Sequence, residues 1–288
     1  MVRPPRRAAA LAAAGAALLA VAGCTGGPGA AVPALTPPAL GTPAPPPSGR
    51  EGMLQLPLSA YGLSSDESAR QQQAVRALTA DCMHRAGYTS FTGDDAFDGG
   101  SGRVSDANAM PGGAFGYLPA TVAPVQGFHA ARPPAAPAPP RAPSSEAERG
   151  AAEDCVRKAL AALPTGDRAG SDLVTRLFGE SQAATAKDAR VVAATRAWAG
   201  CMTAAGYPDA TPDGLVARYR GPGSPGRDEL AAAEADAACT TGSNLAGIWF
   251  AVIAGYQRQQ IAANQERLAA YKDEVARQVA GYARLIGS

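Results

Sequence analysis

The chain has 288 residues, a formal net charge of +1 and an aromatic content of 6%. Sparse aromatics and abundant alanine favour small-residue helical packing over a β-sandwich. Beyond the N-terminal arginines the sequence contains no basic patch, so no nucleic-acid partner is predicted.

The N-terminus has the pattern of a bacterial lipoprotein leader. It begins with a positively charged region that contains Arg3, Arg6 and Arg7. An apolar run over residues 8–20 follows and is too short to span a bilayer comfortably. Val21-Ala22-Gly23-Cys24 then resembles a lipobox, in which the cysteine receives a diacylglycerol and the leader is cut just before it. The alternative is an ordinary secretory signal with an incidental cysteine.

We therefore predict a signal peptide over residues 1–23 and lipidation at Cys24. Cleavage would leave 23 basic against 25 acidic residues, because the leader removes three arginines and no acid. Two or three acyl chains make such an anchor stable. The predicted location is the extracytoplasmic face of the cell membrane, and the membrane is a partner through the lipid on Cys24.

Composition divides the mature chain into a tether and a folded part. Residues 24–50 are rich in Pro, Gly, Ala and Thr and contain too few large apolar side chains to offset the entropy of ordering, which predicts a disordered tether. Residues 51–288 are predicted to form one helical domain, interrupted by a long irregular insertion at about 89–143 that ends in a Pro-Ala run.

Helical periodicity and capping residues define the elements of the domain. The predicted helices run over Ser65–Ala86, Ser145–Leu163, Ser171–Ala184, Asp188–Ala205 and Asp228–Gly242. A final segment of about 43 residues, Asn244–Ile286, contains few helix breakers and would be ~64 Å long if straight. Its approximate heptads predict a long helix that packs on its own bundle, with an intermolecular coiled coil as the alternative.

A short motif occurs twice, at the ends of two predicted helices. The copies are Cys82-Met83-His84-Arg85-Ala86-Gly87-Tyr88 and Cys201-Met202-Thr203-Ala204-Ala205-Gly206-Tyr207. In each, Cys and Met face the core, Gly takes the left-handed cap conformation, and Tyr packs over the helix end. The motif is therefore interpreted as architectural.

Each copy is followed later by one more cysteine, Cys155 or Cys239. Export to an oxidising compartment favours disulfides among these four residues. The sequence order favours Cys82–Cys155 and Cys201–Cys239, while a crossed pattern that includes Cys82–Cys201 stays open.

Several of these features together resemble a group of uncharacterised secreted lipoproteins of actinobacteria. They are the lipobox, Trp198-x-x-Cys201-Met202-x-x-x-Gly206-Tyr207, Asp236-x-x-Cys239, Phe115-Gly116-Tyr117 and the long C-terminal helix. The resemblance covers most of the mature chain. It implies no activity, because none is established for that group.

Signatures of known chemistry are missing from the sequence, so neither catalytic residues, metal ligands nor cofactors are predicted. A calcium loop at Asp94, Asp95 and Asp98 has the wrong spacing for an EF-hand, and a solvated acidic turn is the simpler interpretation. Zinc at Cys82 and His84 competes with the predicted disulfide, and His129 lies in a Gly/Pro-rich loop.

The sequence thus predicts an all-α, disulfide-stapled helical bundle that is not an enzyme. The expected function is that of a cell-envelope scaffold or interaction module with an envelope-protein or cell-wall partner. The alternatives are an extracytoplasmic lipoprotein that binds a small molecule or ion and, less favoured, an unrecognised hydrolase.

Overall fold

The computed structural model describes residues 34–97, 116–128, 145–219 and 224–287. The chain divides into two units, Met1–Ala34 and Leu35–Ser288, and the fold below is that of the second unit. Within the described segments every regular element is helical, which confirms the all-α class. The predicted leader, the lipidation site Cys24 and His129 lie outside the described residues.

Ten α-helices and two short 3₁₀ helices form the described part of this unit. The α-helices are α1 Gly49–Leu54, α2 Ser65–Arg85, α3 Ala123–Gln126, α4 Glu146–Ala162, α5 Arg168–Lys187, α6 Ala189–Ala204, α7 Pro212–Tyr219, α8 Arg227–Ser243, α9 Leu245–Ala263 and α10 Gln265–Leu285. The 3₁₀ helices span Pro57–Tyr61 and Gly93–Phe97. The predicted helices correspond to α2, α4, α5, α6 and α8, with ends that differ by up to three residues.

Side-chain caps explain why these helices begin where they do. At α2, the Ser64 hydroxyl accepts a hydrogen bond from the Glu67 N–H, and the Glu67 carboxylate accepts one from the Ser64 N–H, which completes a capping box. At α4, the Ser145 hydroxyl accepts from the Glu148 N–H at 3.1 Å. The Asp188 carboxylate caps α6.

The bundle consists of two helix pairs and three helices that connect them. α2 packs on α4, and α6 packs on α8. α9 lies against α5 and α6, and α10 lies against α2 and α5. α5 therefore contacts both α9 and α10. The hydrophobic core is accordingly divided into several clusters along the bundle rather than one large centre.

The C-terminal segment is helical as predicted, but it is two helices. It breaks at Asn264, where φ is −127° and the side-chain amide donates to the Gln260 carbonyl at 2.8 Å. The preceding break lies at Asn244 in the left-handed conformation instead of at Gly242. α10 buries Leu268 and Tyr282 within its own bundle, against α5 and α2, in agreement with the predicted intramolecular packing.

Residues 35–48, named the strap here, differ from the predicted tether. Leu35 and Leu40 pack in a cluster with Val252 and Tyr256 of α9. The Thr36 N–H donates to the Gln259 side-chain oxygen at 3.0 Å, and the Gln259 amide donates back to the Thr36 carbonyl at 2.8 Å. Composition had indicated a disordered segment because few apolar side chains occur there; tertiary contacts along α9 hold its backbone instead.

The strap runs antiparallel to α9 in an extended conformation. Its contacts pass from Thr36 at Gln259 to Pro43, whose carbonyl accepts from the Asn244 amide at 2.9 Å. Seven residues of polyproline II rise ~22 Å, and fifteen residues of α-helix also rise ~22 Å. Gly255 makes room for the strap, since a Cβ there would lie 2.4 Å from Pro38 Cβ.

The predicted irregular regions also contain structure. Phe91 and the helix Gly93–Phe97 lie within the predicted insertion and contact α2 and α4. α3 packs on α8, and Tyr117 packs near Phe250. α7 occupies the proline-containing region between α6 and α8, where no helix was predicted from the sequence.

Candidate functional site

Two disulfides join the helix pairs at the repeated motif. Cys82 of α2 bonds Cys155 of α4 with a Cα–Cα distance of 5.6 Å, and Cys201 of α6 bonds Cys239 of α8 with 5.5 Å. This is the sequential arrangement favoured by the sequence order, and the crossed pattern does not occur. Each disulfide therefore links the helix that ends in the motif to the helix on which it packs.

The two helix ends have the same backbone geometry. Gly87 and Gly206 have φ values of +95° and +93°. In the first copy the Tyr88 N–H donates to the Met83 carbonyl at 3.0 Å, and in the second the Tyr207 N–H donates to the Met202 carbonyl at 2.9 Å. Together with the glycine N–H bonds to residues 84 and 203, these contacts form a Schellman motif in each copy.

The correspondence continues for six residues beyond the cysteine-containing motif, to Asp94 and Asp213. Each tyrosine is followed by a two-residue turn, then by two residues without regular structure, and then by a helix that begins at Gly93 or Pro212. A threonine precedes each helix: Thr92 bonds the Asp95 carboxylate, and the Thr211 hydroxyl accepts from the Gly214 N–H. The motif predicted from the sequence ended at the two tyrosines, although Thr92/Thr211 and Asp94/Asp213 are also identical in the aligned sequences.

The second copy contains a buried Trp–Asp hydrogen bond that the residues at the matching positions of the first copy cannot form. Trp198 Nε1 donates to Asp236 Oδ1 at 2.8 Å, and the Thr240 hydroxyl lies 3.4 Å from the same oxygen. Asp236 is 8% exposed, and its burial raises the pKa of the carboxyl to about 6. The matching positions in the first copy hold Thr79 and Ala152.

The two copies also differ in the aromatic side chains that pack in their hydrophobic clusters. Phe91 lies nine residues after Cys82, is 1% exposed and packs with Met83 and Cys155. The residue nine positions after Cys201 is Ala210. Trp198 and Leu215 occupy part of the corresponding core, but a surface cleft of about 360 Å³ opens beside Ala210.

The cleft is open and carries opposite charges on its rim. Its lining includes Tyr207, Ala210 and Leu215, with the exposed side chains of Asp209 and Arg218. Desolvation raises the pKa of the Tyr207 hydroxyl. The Arg218 guanidinium lies over the Tyr219 ring, 5.3 Å from its centroid, as in a cation–π contact.

A cluster of polar side chains at the start of α6 fixes the strap to the bundle. Arg190 makes two side-chain hydrogen bonds to the Asp188 carboxylate, at 2.8 and 2.6 Å, and donates a third to the Pro38 carbonyl at 2.7 Å. The Arg190 hydrogen bonds hold the pKa of Asp188 below its usual value, and desolvation raises the pKa of the neighbouring Tyr256. The cluster is a structural anchor for the strap.

Among the described residues, no group of three or more His, Cys, Asp or Glu is placed to hold a metal ion. Asp94 pairs with Arg76 at 3.0 Å, and the Asp95 carboxylate accepts hydrogen bonds from the N–H and the hydroxyl of Thr92. Cys82 is disulfide-bonded to Cys155, and His84 Nε2 lies 2.7 Å from the Phe91 carbonyl oxygen. Asp98 lies outside the described ranges.

Among the helices of the described segments, none is long and apolar enough by itself to cross a membrane. The pair α8 and α9 meets the length and composition test only when taken together, across a 62° bend. A scan against protein-family models returns no match, and searches of the curated proteins and of the solved structures return no significant relative.

Proposed function

We propose that the protein is a non-catalytic lipoprotein of the cell envelope, anchored through Cys24, that acts as a scaffold or interaction module. The observation that carries the proposal is the course of the strap. The strap, residues 35–48, lies along α9 and is hydrogen-bonded to Arg190 of α6, so a lipid on Cys24 would hold the bundle through the strap.

The length of chain between Cys24 and the strap gives an upper limit on the distance from a lipid anchor to the bundle. Only eleven residue steps separate Cys24 from Leu35, and a fully extended chain spans at most ~3.6 Å for each, or about 40 Å in total. The partner would accordingly be an envelope protein or a cell-wall component close to the membrane. Two disulfides fit this extracytoplasmic location, because such bonds persist in oxidising compartments.

Lipidation is tested by expressing the full chain and its Cys24→Ala variant in a bacterial host that processes lipoproteins. The wild-type protein is expected in the detergent phase after Triton X-114 extraction, with a diacylglyceryl mass on its N-terminal peptide. Cys24→Ala is expected to lose both signals. The double variant Cys201→Ser/Cys239→Ser controls for the loss of thiols and should still enter the detergent phase; equal partitioning of Cys24→Ala would contradict the proposal.

The scaffold role is tested separately by crosslinking in intact cells, followed by mass spectrometry. A specific envelope partner is expected with the wild-type chain and should be depleted with Cys24→Ala, because the unanchored domain would no longer be held near it. Repeated recovery of no specific partner would count against the scaffold.

The cleft beside Ala210 favours a second candidate, an extracytoplasmic lipoprotein that binds a small molecule or ion. A thermal-shift screen of the wild-type domain against metal ions and metabolites tests it. A compound that raises the melting temperature and loses its effect when Arg218 is changed to Gln would support this candidate; a flat response would remove it.

A further inference from the structure

We propose that the face of α9 beneath the strap is a binding groove for an extended, proline-rich segment of another envelope protein, which displaces the strap when it binds. The inference rests on the interaction role proposed above and names the surface that performs it. The strap itself shows which chemistry the groove accepts, because it lies there in an extended conformation.

The polar side chains that line the groove bind the main chain of the strap. Three donors, the side chains of Asn244, Arg190 and Gln259, each reach a strap carbonyl oxygen, at 2.9, 2.7 and 2.8 Å. The strap also contributes one N–H, that of Thr36, which donates to Gln259. Proline keeps its carbonyl but has no N–H, so a row of donors suits a proline-rich chain. Main-chain contacts of this kind are open to segments of other sequence.

Two glycines of α9 allow the strap to approach the helix closely. A Cβ at Gly255 would overlap the ring of Pro38, and a Cβ at Gly247 would lie 3.0 Å from the Pro43 carbonyl oxygen. The space above each glycine is therefore occupied by a proline or by the backbone of the strap. This close approach requires a narrow, extended chain, as in polyproline II recognition.

The floor of the groove is apolar. Leu35 and Leu40 of the strap pack on a cluster of Val191, Val252 and Tyr256, each of which is at most 5% exposed. Departure of the strap would uncover this cluster, and uncovered apolar surface favours a new occupant of similar chemistry. The combination of leucine contacts and carbonyl contacts defines that occupant as a leucine-containing, proline-rich segment.

The strap is held at the surface and can leave without unfolding the bundle. Each of its residues, 35–48, is half-buried or exposed, and none is fully buried. Segments with few buried contacts open locally at a lower free-energy cost than the core does. A competing segment therefore needs to replace only the contacts made by the strap.

The connection between the strap and the bundle favours a different protein over a second copy of this chain. The strap ends at Ser48, and α1 begins at Gly49 and packs on α9 of its own bundle. No linker residue separates the two, so a strap that crossed to a second copy would have to strain or break the α1 contact. A free segment of another protein meets no such constraint.

The groove is tested in the full-length secreted chain with Cys24→Ala, so that no lipid takes part. A second chain also carries Leu35→Ser/Leu40→Ser, which weakens the strap and leaves the groove unchanged. The probe is the fluorescein-labelled peptide Ala-Leu-Ser-Pro-Pro-Ser-Leu-Ser-Ser-Pro-Ser-Pro-Pro, which keeps the leucines and prolines of residues 34–46 and differs elsewhere. By fluorescence anisotropy it should bind the weakened-strap chain roughly tenfold more tightly than the chain with its native strap, because the tethered strap competes.

Two further measurements examine the chemistry of the occupant and the displacement. The same peptide with glycine in place of every proline should bind roughly tenfold more weakly, because it loses more conformational entropy when it becomes extended. In the chain with its native strap, a saturating amount of the proline peptide should speed amide hydrogen exchange of the strap, measured by mass spectrometry, since the Thr36 N–H loses its bond to Gln259.

Groove variants in the weakened-strap background locate the site. Gly255→Ala and Gln259→Ala should each lower the affinity for the proline peptide roughly fivefold or more, through lost space and a lost clamp. The matched controls are Gly179→Ala, which has open space around it, and Gln265→Ala, at an exposed position of α10; both should bind as their parent does. Circular dichroism verifies folding, and Gln259→Ala carries the test if Gly255→Ala unfolds.

Several outcomes would overturn the inference. These are absence of binding by both chains, equal affinity for the proline and glycine peptides, undiminished binding by folded Gln259→Ala, or unchanged exchange of the strap at saturating peptide. A concentration-dependent dimer that the peptide dissociates would assign the groove to the strap of a second copy instead of another protein. Because lipidation and partner capture are measured separately in cells, failure here would leave the anchored-scaffold proposal standing.

Discussion

Replacing the buried Asp236 by asparagine should make the protein more stable at neutral and alkaline pH. The carboxylate accepts from Trp198 Nε1 at 2.8 Å in a site where it is 8% exposed. Asparagine keeps an oxygen acceptor for the indole and removes the charge, so the change isolates the cost of holding an ionised group in the core.

The size of the effect follows from the pKa. Burial raises the pKa of Asp236 from 3.8 to about 6, and this difference corresponds to about 3 kcal/mol in the free energy of unfolding. The folded protein binds this proton more tightly than the unfolded chain does. The contribution of Asp236 to stability is therefore complete below about pH 4 and is lost as the pH rises to about 6 and beyond.

Asp236→Asn is thus expected to exceed the wild type by up to about 3 kcal/mol at pH 8 and to match it near pH 4. Guanidinium denaturation across this range, monitored by tryptophan fluorescence, measures the difference. Asp273→Asn, at an exposed position of α10, should show no such pH-dependent gain. A wild-type advantage at pH 8, or a difference that does not vary with pH, would refute the reasoning.

Three further predictions concern the strap, the disulfides and the helix ends. Gly255→Ala should lower stability by about 1–3 kcal/mol, because its Cβ would overlap Pro38, whereas Gly179→Ala, with open space around it, should not; thermal melts and proteolysis within the strap measure both. Replacing both cysteines of either disulfide by serine should lower the free energy of unfolding by about 4 kcal/mol in chemical denaturation. The closed loops span 73 and 38 residues, and the entropy of loop closure depends only weakly on loop length, so the two losses should be similar. A loss below about 1 kcal/mol would contradict the loop-entropy argument. Gly87→Ala and Gly206→Ala should each cost about 1 kcal/mol and agree within error in melts, because both glycines have positive φ and open surroundings; markedly unequal costs would show that the two helix ends are not equivalent.

Local sequence determined most helix boundaries and the geometry of the repeated helix ends. Capping at Ser64 and Ser145 depends on residues three positions away, and a positive-φ glycine after a helix depends on hardly any other part of the fold. These features could be predicted because the interactions that produce them are close in sequence. The all-α class followed for the same reason.

Tertiary contacts determined the features of the fold that local sequence did not predict. The strap is ordered by bonds that join Thr36 to Gln259 and Arg190 to Pro38, across more than 150 residues of sequence. Composition cannot reveal such partners, and it indicated a tether. The break at Asn264 and the short helix α7 likewise depend on what each segment packs against, because propensity alone tolerates a longer helix and a proline-rich turn.

The repeated motif shows the same division within one feature. Its cysteine, glycine and tyrosine specify a stapled helix end in both copies, and the sequence alone was sufficient to indicate that role. Only the folded chain shows that Phe91 is buried in the core of one copy whereas Ala210 borders a surface cleft in the other, since the space around a side chain is set by residues from several helices.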